Sequence, residues 1–238
     1  MTALADLRTK IFADGADKQG MLDMYRRPYV KGFTTNPTLM RKAGVTDYCA
    51  FARDVLTSIP DRPISFEVFA DDFAEMERQA RLIASWGEHV YVKIPITNTA
   101  GESSLPLINR LACSGVKVNI TAMMTVQQVC DVARAARGGA ACFASVFAGR
   151  IADTGRDPLP LMAEAMQALA EAPNIELIWA SPRELLNIFQ ADSIGCHIIT
   201  VTNDVLAKLD LVGKDLDEYS LDTVKMFFRD AQAAGFAL

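Results

Sequence analysis

Apolar positions along this chain follow two alternating patterns. Short runs rich in β-branched and aromatic residues recur at 9–13 (TKIFA), 31–35 (KGFTT), 63–68 (PISFEV), 89–94 (HVYVKI), 116–121 (VKVNIT), 140–145 (AACFAS), 175–179 (IELIW) and 197–201 (HIITV). Between them, apolar residues return at i, i+3 and i+4, the period of a helix with one buried face. In 71–86, Phe73, Met76, Ala80, Ile83 and Ala84 make one stripe, with Asp72, Glu75, Glu77 and Arg78 off it. Eight strand-like runs alternating with helices, without a low-complexity linker, predict βα units and a parallel sheet. Eight units suggest closure into a (β/α)8 TIM barrel, one domain over residues 1–238. The other arrangement, an open doubly wound sheet, lacks a Gly-x-Gly-x-x-Gly after its first strand. Residues 219–236 predict an extra C-terminal amphipathic helix. Its apolar stripe is Leu221, Val224, Phe227 and Phe228, with Ser220 as N-cap.

The barrel reading gathers the polar residues at the strand C-terminal ends. These are Asp14, Asn36, Glu67, Lys93, Asn119 with Thr121, Ser145 and Ser181, recurring about once per βα unit. In a closed barrel all such ends meet on one face, where active sites are built. Lys93 is the most informative. It lies between Val92 and Ile94 in a run that Pro95 stops. Burying an ammonium disfavours the charged form, which makes an amine available to attack a carbonyl and form a Schiff base. The alternative reading is a strand-end lysine that snorkels to water.

Arg150 lies just beyond Ser145, and Arg183 lies two residues after Ser181. Guanidinium forks bind phosphate or sulfonate oxygens in pairs. Ser181-Pro182-Arg183-Glu184 also reads as a helix start, with Ser181 as N-cap and Pro182 at N1, where free N–H groups favour an anion. Surface salt bridges are the plainer reading of both arginines.

Composition narrows the function classes. Half of the 238 residues are hydrophobic and 22% are charged, enough for a large core and a solvated surface. A net charge of −5, without a basic block, argues against a nucleic-acid surface. Five dispersed cysteines without a CxxC pair fit reduced thiols in a cytoplasmic protein. Two histidines without a ligand-type partner argue against a transition-metal site. No signal-like N-terminal segment stands out, and no apolar run reaches the roughly 18 residues that a membrane helix needs.

Five blocks in order carry a family resemblance across about residues 9–235. GFTTNPT at 32–38, SFEV at 65–68, VKIPIT at 92–97, VNIT at 118–121 and SVFAGRI at 145–151 resemble the transaldolase family, including its compact branch with fructose-6-phosphate aldolases. The resemblance implies a cofactor-free, metal-free class I mechanism acting on sugar phosphates. A dihydroxyacetone unit would pass from a ketose phosphate to an aldose phosphate, as in the pentose phosphate pathway. Lys93 would form the Schiff base and Asp14 would be the general base, the bland reading of Asp14 being a turn residue before Gly15. Glu67 and Thr121 would hold a proton-shuttling water, Glu67 otherwise being a buried ion-pair partner. Asn36 and Asn119 would meet sugar hydroxyls, Asn36 otherwise being a turn former. Ser145 would contact the intermediate or simply be a core hydroxyl. Arg150, Ser181 and Arg183 would grip the phosphate.

Aldolase-type members carry tyrosine where this chain has Phe147. A phenol there can help release a free ketone, so Phe147 favours transfer over aldol cleavage unless it merely packs. Val146, Met123, Met124 and Pro182 depart from the longer transaldolases close to the expected substrate. They leave an aldolase that releases free dihydroxyacetone, or a transaldolase for a sulfo-sugar, as alternatives. The resemblance further implies that the C-terminal helix reaches a neighbouring subunit in a homo-oligomer, a pentamer or decamer, the plainer reading being that it packs on its own barrel.

Overall fold

The computed structural model describes residues 4–236, so the outermost residues of the expected domain, 1–3 and 237–238, lie outside it. Eight strands form a closed, wholly parallel barrel in sequence order, with β8 returning to β1. They are β1 (Lys10–Asp14), β2 (Val30–Thr34), β3 (Ile64–Glu67), β4 (Val90–Pro95), β5 (Val118–Met123), β6 (Cys142–Val146), β7 (Ile175–Trp179) and β8 (Ile198–Thr202). The predicted runs find all eight; β7 is matched at both ends and the other seven miss by one or two residues. Asp14, for example, belongs to β1 because its backbone pairs with Thr34 and Thr202.

The helices are α1 (Lys18–Tyr25), α2 (Pro37–Lys42), α3 (Tyr48–Ser58), α4 (Phe73–Ala84), α5 (Leu105–Cys113), α6 (Val126–Ala136), α7 (Ala148–Ala152), α8 (Pro158–Ala168), α9 (Leu186–Ser193), α10 (Asn203–Leu206) and α11 (Leu216–Ala234). Helix α4 forms as its pattern requires. Asp72 accepts the Glu75 amide at 2.9 Å as N-cap, and Met76, Ala80 and Ile83 are buried on one face. Two expected helix starts are corrected. Helix α9 begins at Leu186, and Ser181 caps nothing because its φ is 59°. Asn187 instead accepts the Arg183 and Glu184 amides, at 2.8 and 3.1 Å. Helix α11 is capped by Asp215, which takes the amides of Asp217 and Glu218, so Ser220 lies inside the helix.

Period-two alternation sorts the strand side chains into two layers. Val90, Val92 and Ile94 of β4 join the large core between strands and helices. Tyr91 packs instead with a second apolar cluster of Phe12, Phe143, Ile178, Ala180 and Ile198. Tyr91 stacks on Phe143 at 3.9 Å, and Phe12 meets Phe143 edge-on. Gly32 makes room for this plug, since a Cβ there would lie 2.6 Å from the Phe12 ring. The aromatic layer floors a polar site at the strand C-terminal ends. No helix among the described residues is long and apolar enough to cross a membrane.

Candidate active site

Lys93 is 7% exposed, and its Nζ donates to the Thr35 carbonyl at 2.9 Å. Glu67 Oε2 lies 3.1 Å from the same nitrogen. Glu67, Lys93 and Asn119 are register neighbours across β3, β4 and β5, so their side chains emerge side by side. Strand alternation is the cause: Lys93 is in phase with Tyr91, while its apolar neighbours Val92 and Ile94 turn to the helices. Buried charges persist only with partners, and these two share one ion pair.

Asp14 ends β1 at the same end of the barrel, near enough to feel the charges of Lys93 and Glu67. Its Oδ1 accepts from Thr34 Oγ1 at 2.7 Å, and Thr34 in turn meets Thr200 Oγ1 at 2.5 Å. Since Thr34 spends its proton on Asp14, Thr200 donates to Thr34. Burial pushes the Asp14 carboxyl above its ordinary value; the Lys93 ammonium and Thr34 hydroxyl oppose this, and the Glu67 carboxylate adds to it.

A second set of hydroxyls and amides lines the wall beside Lys93. Asn119 Nδ2 donates to Ser65 Oγ at 3.0 Å, and Ser145 Oγ donates to Asn119 Oδ1 at 2.7 Å. Both Asn119 and Ser145 are buried, so this belt spans β3, β5 and β6 in a fixed order. Thr121 Oγ1 is also buried and has no hydrogen-bond partner among the described residues. It is therefore open to a water or a substrate oxygen.

The expected anion grip is less simple. Asn36 caps α2, its Oδ1 accepting the Leu39 amide at 3.0 Å, which ties its amide oxygen to the helix start. Arg150 is exposed on α7 with its guanidinium 5.3 Å from the Phe147 ring centre. Arg183 is exposed and paired with Asp153, Nε to Oδ1 at 3.0 Å plus a second Nη2–Oδ2 bond. Ser181, in the left-handed region, brings its carbonyl against Gly149. Arg150, Ser181 and Arg183 thus share one rim of the barrel, yet Arg183 has a carboxylate partner of its own.

Sequence reading overlooked Asp153, Thr34 and Thr200. Thr34 stood inside the GFTTNPT block and carried that signal. Thr200 was visible only as a hydroxyl in an apolar strand, and nothing one-dimensional links Asp153 to Arg183.

Residues 11–238 match the transaldolase/fructose-6-phosphate aldolase family. A probable transaldolase of Dehalococcoides mccartyi is 36% identical over 201 residues, covering 84% of this chain and 89% of that protein. A probable transaldolase of Thermoanaerobacter sp. is 32% identical over 223 residues, covering 93% and 98%. Among solved structures, dihydrodipicolinate synthase from Rhodopseudomonas palustris superposes with a TM-score of 0.57 at 16% identity, covering 93% of this chain and 81% of that one. At that identity the likeness concerns the barrel alone. Together, the ordered sequence blocks, the closed eight-stranded barrel and the near full-length matches make this chain a member of the transaldolase/fructose-6-phosphate aldolase family.

Proposed function

We propose that the chain is a class I transaldolase that carries a dihydroxyacetone unit on Lys93. The donor is a ketose phosphate such as fructose 6-phosphate or sedoheptulose 7-phosphate, and the acceptor is an aldose phosphate. The observation that carries this reading is a buried lysine Nζ 3.1 Å from Glu67, with Asp14 near enough for both charges to act on it. Two carboxylates around one amine supply what imine chemistry needs, a proton acceptor for the nucleophile and another for the substrate.

In this mechanism Glu67 takes a proton from Lys93, and the amine adds to the ketose C2 carbonyl. Loss of water gives the iminium, with Glu67 and the unpartnered Thr121 hydroxyl holding the water that moves protons. Asp14 removes the proton from the C4 hydroxyl. The C3–C4 bond breaks, its electrons enter the iminium as an enamine, and an aldehyde leaves. Its raised position suits Asp14 to return that proton when the enamine adds to the acceptor aldehyde. Asn119, Ser145 and the Asn36 amide bind the sugar hydroxyls. Arg150, Ser181 and Arg183 hold the terminal anion, and Phe147 offers no proton for releasing the enamine as free ketone.

One observation favours a second reading, transfer from a sulfo-sugar. Asp153 neutralises Arg183, and Arg150 has no carboxylate partner among the described residues. A monoanionic sulfonate needs less positive charge than a phosphate dianion.

The whole chain acts as one barrel unit in this proposal, in cytoplasmic carbohydrate metabolism of the pentose phosphate type. Its five cysteines are free, which supports a reducing compartment. It works as a homo-oligomer, a pentamer or decamer. Leu221, Val224, Phe227 and Phe228 of α11 are each more than half exposed, an apolar face that a second copy can cover.

Borohydride reduction with a panel of ketose phosphates and sulfo-sugars, read by intact mass and peptide mapping, tests the proposal. The expected result is one adduct on Lys93, absent in Lys93→Met. A Lys93→Met variant that exchanges sugar fragments at the native rate would overturn it.

A further inference from the structure

We propose that Tyr48 is a positioning residue for Glu67, holding that residue's peptide so that its carboxylate stays against Lys93. The inference rests on the Schiff-base reading above, in which Glu67 is the proton acceptor.

The argument begins with a ladder that stops. Strand β2 joins β3 through Phe33 N–H to Pro63 O at 2.8 Å and Thr35 N–H to Ser65 O at 3.2 Å. A parallel ladder climbs two residues per step. Its next bonds would run from Glu67 N–H to Thr35 O, and from the residue 37 N–H to Glu67 O. The first is not made: Thr35 O accepts from Lys93 Nζ, and Glu67 N–H turns to the Tyr48 oxygen instead. The second cannot exist because residue 37 is proline, which has no N–H.

Both backbone groups of Glu67 are thereby left without strand partners on this side, at a position where unpaired groups destabilise the fold. The Tyr48 hydroxyl satisfies both. It accepts from Glu67 N–H at 2.8 Å and donates to Glu67 O at 2.9 Å. On the other side, Glu67 is in register with Lys93, and Val68 N–H donates to Lys93 O at 3.2 Å. The Glu67 peptide is thus clamped between β4 and a single phenol.

The phenol is itself fixed. Tyr48 is the first residue of α3, and its ring meets Phe66, Phe69 and Trp86 edge-on, with centroids 6.1, 4.6 and 5.7 Å away. Burial pushes its ionisation upward, so the hydroxyl keeps its proton at neutral pH. Small displacements of a proton acceptor carry large rate penalties, so a clamp on its peptide has kinetic consequences.

Tyr48→Phe keeps the ring and removes only the hydroxyl. The expected result is a fall of about tenfold in the rate of borohydride-trappable Schiff-base formation and in kcat, with KM within about twofold. In a Glu67→Gln background the same change is expected to cost less than about twofold, because two residues acting through one route are not additive. Phe69→Leu disturbs the ring packing without touching the hydroxyl, and is expected to lower Tm while leaving the trapping rate unchanged. An unchanged trapping rate in Tyr48→Phe, a full tenfold loss on top of Glu67→Gln, or an equal loss in Phe69→Leu would each overturn the proposal. If Glu67→Gln itself traps at the native rate, the underlying role of Glu67 fails too, which separates the two failures.

Discussion

Arg183 and Asp153 are joined by two bonds across the gap between the loop after β7 and the end of α7. Both side chains are about half exposed, at 48% and 54%, so solvent screens the pair and it contributes only about 0.2–1 kcal/mol. An incoming anion can therefore compete for this guanidinium at little cost. Asp153→Asn removes both the competitor and a repulsive charge. It is expected to lower KM for a phosphorylated donor by about threefold, with kcat within about twofold. Free dihydroxyacetone, which carries no anion, should show no change. Steady-state kinetics on both donors at two salt concentrations check this.

Asp14 is held above its ordinary value of 3.8, chiefly by burial. Between 3.8 and its raised value the folded state binds more proton than the unfolded state. Stability therefore falls as pH rises through that window and is lowest above it. Asp14→Asn carries no buried charge, and its amide oxygen can still accept from Thr34. The variant is expected to melt above the parent at pH 7, with the gap closing as pH drops toward 3.8. Its kcat should fall by about a hundredfold or more, since the proposed general base is gone. Thermal melts across pH, beside activity, measure both effects.

Gly149 is required by close approach. A Cβ at that position would lie 1.5 Å from the Ser181 carbonyl oxygen. The two segments proposed to hold the anion are locked together there, so Gly149→Ala must push Ser181 and Arg183 away from Arg150. We expect a loss of about 1–3 kcal/mol in stability, the usual cost of overpacking. The fall in kcat/KM should be larger for phosphorylated than for unphosphorylated donors. Denaturant unfolding and paired kinetics provide the check.

Phe147 packs with the barrel's inner aromatic cluster and lies beneath the Arg150 guanidinium. Phe147→Tyr adds one hydroxyl close to Arg150, at the proposed substrate site. More free dihydroxyacetone per transfer event is expected, by about two- to tenfold, as general acid–base assistance becomes available to release. An unchanged ratio in a coupled assay without acceptor would discredit the assignment of Phe147 to the transfer outcome.

Helix α11 buries none of its residues against the barrel, although Phe227 and Phe228 are 63% and 65% exposed. A charged residue in such a face opposes association strongly while costing the lone subunit little. The Phe227→Asp, Phe228→Asp double variant is expected to run as a smaller species by light scattering, with far-UV circular dichroism unchanged.

Legibility from sequence varied with the range of the interaction involved. Lys93, Glu67 and Asn119 could be picked out because a polar residue in a short apolar strand stands out against its neighbours, and strand phase then puts all three on one side. The helix starts at Ser181 and Ser220 were misread because a cap is chosen by competition. Asn187 takes the amides that Ser181 was expected to serve, and Asp215 begins α11 earlier than Ser220 allows. Asn36 follows its local reading, with its Oδ1 capping α2.

Local pattern alone was sufficient for eight βα units, for the face on which their polar ends meet, and for the lysine at its centre. Those follow from periodicity and steric preference, which act between residues a few positions apart. Folding in three dimensions settled which groups share a proton or a charge: Thr200 with Thr34 and Asp14, Asp153 with Arg183, and Tyr48 with the peptide of Glu67. These partners are chosen by distance and direction across the closed barrel, and a hydroxyl or carboxylate has the same signature in one dimension whether its partner is near or absent.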